Sequence, residues 1–112
     1  MFKGCSELLR IEHLNNWNVS NGNNFEGMFA GCSTIMDLEP LRNWNVSQGI
    51  NFSSMFLGCL NLSDIKPPAN WNVSNGENFE FMFNKCSLLK DLTAVEKWNV
   101  SKDKLELIKK TN

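Results

Sequence analysis

Apolar residues recur along this chain in columns rather than in runs. Met-Phe pairs stand at Met1-Phe2, Met28-Phe29, Met55-Phe56 and Met82-Phe83, and each pair comes 27 residues after the last. Further apolar columns run through Leu8/Ile35/Leu62/Leu89, Ile11/Leu38/Ile65/Leu92, Val19/Val46/Val73/Val100 and Phe25/Phe52/Phe79. About nine of the 27 columns are apolar, as a thin unit needs when it buries its core only against its neighbours. Within a unit, Phe25, Met28, Phe29 and Cys32 fall at i, i+3, i+4 and i+7, which predicts a helix of about two turns. Asn24 is its expected N-cap and Gly31 its expected C′ residue. Thr34 to Leu38 reads as a short extended piece that ends before Pro40, and Asn21-Gly22 reads as a turn into the helix.

The most insistent element is Trp-Asn-Val-Ser, beginning at Trp17, Trp44, Trp71 and Trp98. Strict self-similarity at this period predicts a solenoid. A short parallel strand, a Trp-Asn-Val corner and a short helix in each 27-residue unit amount to leucine-rich-repeat geometry. The units are 1–27, 28–54, 55–81 and 82–101, and residues 102–112 form a C-terminal cap and tail. There the pattern gives way to Lys102-Asp103-Lys104-Leu105-Glu106-Leu107-Ile108, a helix expected to be N-capped by Asp103, with Leu105 and Ile108 inward. The start has no such cap, and Met1-Phe2 is already in phase, which favours a piece cut from a longer array.

Composition narrows the function classes. The chain has 112 residues, one small domain, with 11 basic and 12 acidic side chains. That balance gives no clustered cationic surface for nucleic acid. No run approaches the roughly 20 apolar residues of a membrane helix. Cys5, Cys32, Cys59 and Cys86 share one column and read as a buried ladder of thiols. Parallel side chains suit a disulfide poorly, and no Cys-x-x-Cys pair suggests zinc. The single histidine, His13, stands in a column otherwise held by Pro40, Pro67 and Ala94, so no nucleophile–base pair is expected and the chain is read as non-enzymatic, without cofactor or metal.

Three features remain as candidate binding chemistry. Asp37, Asp64 and Asp91 share a column beside Glu39, an acidic stripe for a cation or a basic partner. Ile50, Leu57 and Phe81 are large apolar residues in columns whose chemistry changes from unit to unit, and together they would form a protein-contact patch. The Asn-Val-Ser tripeptides match the glycosylation sequon. Sugar on every unit would collide with sugar on the next, so Asn and Ser are expected to bond to the backbone of the turn instead, with Trp17, Trp44, Trp71 and Trp98 bracing the core.

The string Met-Phe-x-Gly-Cys-Ser-x-Leu-x-x-Ile followed by Trp-Asn-Val-Ser-Asn-Gly-x-Asn-Phe resembles the BspA-like leucine-rich repeats of microbial surface proteins. It is closest to the variant Met-Phe-x-x-Cys…Trp-Asp-Thr-Ser-Asn-Val-Thr-Asn-Met of lipoprotein arrays. Gly22, Gly49 and Gly76 stand where that variant has Val, Phe25, Phe52 and Phe79 where it has Met, and one extra residue separates Cys from Trp. The resemblance implies a right-handed solenoid at the cell surface or secreted, engaged in adhesion to a host or extracellular-matrix protein. The expected function is therefore a non-catalytic protein-binding module, with a structural spacer displaying another domain as the alternative.

Overall fold

The structure, a computed structural model, describes residues 11–111. Its hydrogen bonds carry the 27-residue step. The Phe25, Gly27, Phe29 and Gly31 amides donate to the carbonyls of Asn51, Ser53, Met55 and Leu57 in the next unit, at 2.7–3.0 Å. Phe52, Ser54, Phe56 and Gly58 repeat this toward Asn78, Glu80, Met82 and Asn84. The amides between them turn inward on their own unit: Met28 donates to Phe25, Ala30 to Gly27 and Cys32 to Phe29. Alternate N–H groups thus close local turns and bridge to the neighbour, which leaves none in an i to i−4 helical pattern.

Two backbone positions enforce this. Gly27, Ser54 and Phe81 have φ of 60°, 58° and 62°, and Gly31, Gly58 and Lys85 have φ of 77°, 74° and 68°. A left-handed residue inside the apolar stripe stops a right-handed helix from propagating. The helix expected around 25–32 is therefore a series of turns, and Asn24 makes an Asx turn, its Oδ1 accepting from the Glu26 amide at 3.0 Å. Asn51 and Asn78 do the same for Ser53 and Glu80. Gly31 is left-handed, as a C′ residue would be, but no helix precedes it.

The remaining elements among the described residues are 3-10 helices at Glu12–Asn16, Glu39–Leu41, Pro67–Asn70 and Thr93–Lys97, followed by an α-helix, α1, at Lys102–Ile108. Pro40 and Pro67-Pro68 occupy first-turn positions, where a missing amide costs nothing, so they open 3-10 turns instead of closing a strand. Each 3-10 helix at Glu12, Pro67 and Thr93 ends at an extended tryptophan, Trp17, Trp71 or Trp98. The Ser101 side chain caps α1 by accepting from the Lys104 amide; Asp103, expected as the cap, lies in the first turn. Ile108 is buried and Leu105 packs against the core, two residues three apart on one face.

The expected right-handed leucine-rich-repeat solenoid of four strand-and-helix coils is overturned. Among the described residues there is no β-sheet, only isolated parallel bridges at Asn24–Asn51, Asp37–Asp64 and Asn51–Asn78. The chain folds into a compact body of 34 × 30 × 20 Å built mainly of turns. The physical reason is the one above: amides that alternate between turn and neighbour sustain neither a helix nor a continuous strand, so neither the leucine-rich repeat nor its coil applies.

Packing between units is aromatic. Phe25, Phe52 and Phe79 stack at 5.5 and 5.4 Å, and Phe29, Phe56 and Phe83 at 5.6 and 5.4 Å with rings nearly parallel. Offset stacks of this spacing are favourable beyond the area they bury. Cys59 and Cys86 are buried beside them, each Sγ donating to a carbonyl of the preceding unit, Phe29 at 3.2 Å and Phe56 at 3.1 Å. Burial pushes the Cys86 thiol up to about 11 and raises Cys59 as well, with the adjacent thiols adding to the effect at Cys59. A thiol whose pKa rises on folding gives its full stabilisation below the ordinary value of 9.0, and that is lost as pH climbs through 11. The urea midpoint is therefore expected to hold steady up to about pH 8.5 and to fall above it, with a shallower fall in Cys86→Ala. Identical pH profiles for the two proteins would contradict the account.

Candidate functional site

The polar columns face their own backbone. Asp37, Asp64 and Asp91 are exposed, and each Oδ1 accepts the amide two residues on, from Glu39, Lys66 and Thr93, at 3.0, 2.9 and 3.0 Å. They are Asx turns that start the 3-10 segments. Asp37 and Asp64 are brought together as a parallel bridge. The Thr93 hydroxyl, donating at 2.7 Å, holds the Asp91 carboxyl below its usual range, and Lys66 assists. Glu39 is engaged by Arg42 in a two-pronged contact at 2.8 and 2.8 Å, and that hydrogen bonding lowers its pKa. Arg42 also feels Asp64. The acidic stripe is thus interleaved with cations, and among the described residues no three His, Cys, Asp or Glu side chains gather as a metal site would require.

Cations also form a wall that the column reading missed. Arg42, Lys66 and Lys97 line a surface cavity of about 550 Å³ with Asn70 and Thr93. The signal is spread over three columns, in which Lys66 follows Glu12 and Glu39, Arg42 follows Asn15, and Lys97 follows Asn16, Asn43 and Asn70.

The asparagines after each tryptophan make the same kind of turn. Asn18, Asn45 and Asn72 accept from the amides of Ser20, Ser47 and Ser74 at 3.0 Å each. The Ser20 and Ser74 hydroxyls add bonds of 2.6 and 2.8 Å. Trp44, Trp71 and Trp98 are buried, and their Nε1 groups donate to the carbonyls of Leu14, Leu41 and Pro68 in the unit before, at 2.8–2.9 Å. Trp17 is 37% exposed against 5% for the other three. Cys32 is buried, Cys5 lies outside the described residues, and the His13 position falls within the Glu12–Asn16 turn.

The apolar candidates divide. Phe81 is 56% exposed and Ile50 43%, whereas Leu57 is half-buried and presents less surface than its column suggests. Phe81 combines that exposure with a left-handed backbone, where the equivalent positions hold Gly27 and Ser54. Met36, Leu60 and Leu88 are exposed as well.

No helix among the described residues is long and apolar enough to cross a membrane. No curated protein and no solved structure matches the chain. Residues 1–108 do match a family model over almost the whole length, and the chain belongs to that family, described as Mycoplasma protein of unknown function, DUF285.

Proposed function

We propose that this chain is a non-catalytic protein-binding module, carried at the surface of the cell or secreted, that engages a host or extracellular-matrix protein through its variable columns. The observation that carries the reading is Phe81. An aromatic ring more than half exposed, on a backbone conformation that disfavours any side chain, persists at a strain of about 1 kcal/mol. Large exposed aromatics are the residues that anchor protein interfaces. The Asn and Asp columns, by contrast, are occupied with their own turns, and of the apolar residues in the variable columns Phe81 and Ile50 are the ones exposed to a partner. The resemblance of the Met-Phe and Trp-Asn-Val-Ser strings to those of BspA-like surface arrays supports the surface placement.

Phe81→Gly separates binding from folding. Its counterpart Gly27 adopts φ of 60°, so the variant relieves strain, offset in part by the freer unfolded chain. Its melting temperature is expected to be no lower than that of the parent. Biolayer interferometry of the full chain over immobilised fibronectin, laminin and collagen is expected to show binding that Phe81→Gly weakens by about tenfold or more. Absence of binding to all three, or equal binding by Phe81→Gly and by Ile50→Asn, would sink the reading.

A further inference from the structure

The cationic wall at the 3-10 corners borders a trough that differs in kind from the Phe81 face. Arg42, Lys66 and Lys97 come from three successive units, with Asn70, Thr93 and Ala94 between them, around a cavity of about 550 Å³. That volume lies within the range of small-ligand sites. Lys66 and Ala94 also line a second cavity of about 200 Å³ with Ser63, Asp64 and Asp91, so the two openings adjoin. Units step 5.4–5.6 Å in one phenylalanine stack, and Trp71 and Trp98, beside the corners, lie 6.3 Å apart. The three cations are therefore strung along the stacking direction.

These charges are not spent inside the molecule. Among the described residues the ion pairs are Arg42–Glu39 and Lys109–Glu96. Glu96, next to Lys97 in the chain, is thus committed to α1, and neither the Lys66 nor the Lys97 ammonium is paired with a carboxylate among the described residues. Arg42 gives Nε and Nη2 to Glu39 and keeps Nη1. Hydrogen-bonding capacity is spare beside them. Asp64 and Asp91 use Oδ1 for their turns and keep Oδ2, and among the described residues Asn70 makes no side-chain bond.

We propose that this trough binds a linear polysaccharide that carries a carboxylate on alternate sugars. Lys66, Lys97 and Arg42 Nη1 take the carboxylates, while the sugar hydroxyls donate to the Asp64 and Asp91 Oδ2 atoms and pair with Asn70. The interleaving of acids with cations is what selects this class. On a densely sulfated or phosphorylated chain, groups beyond those the cations take would face Glu39, Asp64 or Asp91. A nucleic acid would also need rings on which to stack its bases, and the neighbouring Trp71 and Trp98 are buried. A peptide would need a pocket for an apolar anchor, and the apolar side chains lining the larger cavity are Ala69 and Ala94. The site takes a saccharide, and it uses neither Phe81 nor Ile50.

The test titrates the full chain with a hyaluronan decasaccharide in a calorimeter at physiological ionic strength. Saturable binding with a Kd below about 1 mM is expected. Lys66→Gln with Lys97→Gln is expected to weaken it about tenfold or more. Lys102→Gln with Lys110→Gln removes the same charge from exposed positions outside the trough and is expected to bind as the parent does. Heparin and oligouridylate fragments of equal length are expected to bind more weakly than hyaluronan. Phe81→Gly is expected to leave glycan binding unchanged, so this site and the Phe81 face can fail separately. No saturation by about 1 mM, equal losses in the two lysine pairs, or tighter binding of heparin or oligouridylate overturns the proposal.

Discussion

Phe56→Ala is expected to remove most of the stability of the molecule, at a cost of about 3–5 kcal/mol. The ring is fully buried and lies between Phe29 at 5.6 Å and Phe83 at 5.4 Å, nearly parallel to both. Truncation therefore opens a cavity and breaks two stacking contacts at once. Neighbouring units cannot close over the gap, because the amides on either side fix their spacing: Phe29 donates to Met55, and Phe56 to Met82. A domain of this size has about 5–15 kcal/mol in total, so the loss is a large fraction of it. Urea unfolding followed by tryptophan fluorescence measures the shift. A loss below about 1.5 kcal/mol would mean that the stacks do not hold the units together.

Gly49→Ala is the second large effect and has a different cause. The backbone there is not left-handed; the glycine is required for space. An added Cβ would sit 2.3 Å from Phe52 Cζ, 2.8 Å from Cε2 and 3.0 Å from the Val46 carbonyl oxygen. The Phe52 ring cannot swing away, since it is stacked between Phe25 and Phe79 and fully buried. Overpacking of this kind costs about 2–3 kcal/mol. Gly22 offers an internal comparison, because its added Cβ would meet Phe25 Cζ at 2.9 Å and the site is only half-buried. Gly22→Ala is expected to lose about 1 kcal/mol or less. Equal losses at the two glycines, read from the same urea curves, would show that ring contact is not what excludes the side chain.

The same residues show what the sequence made legible and what it hid. The step of 27 is read directly from the columns, and it is the offset at which Asn24 pairs with Asn51 and Asn51 with Asn78. The secondary structure within the step was misread. Phe25, Met28, Phe29 and Cys32 have helical spacing, but that spacing also suits turns of three residues stacked side by side. The deciding signal was Gly27 and Gly31, four apart, since two left-handed positions within one apolar stripe exclude a helix. Ser54, Phe81 and Lys85 hid it, because they take the same conformation without the glycine that would announce it. Pro40 and Pro67 were equally ambiguous, as a proline that ends a strand also opens a 3-10 turn. On the surface, the acidic column was visible and its use was not. Whether Asp37 faces a ligand or the Glu39 amide depends on a local turn that no column of carboxylates reports.

The alternation of amides also governs how such a chain can change in length. Every second N–H from Phe25 to Gly31 is committed to the neighbouring unit, at a fixed offset. One residue gained or lost inside that segment would exchange the turn-closing and bridging groups and turn the aromatic columns away from their stacks. A whole unit gained or lost leaves each donor facing an equivalent acceptor. Viable length variants of this family should therefore differ in that segment by multiples of 27 residues, while smaller indels collect in the 3-10 corners, where few bonds cross.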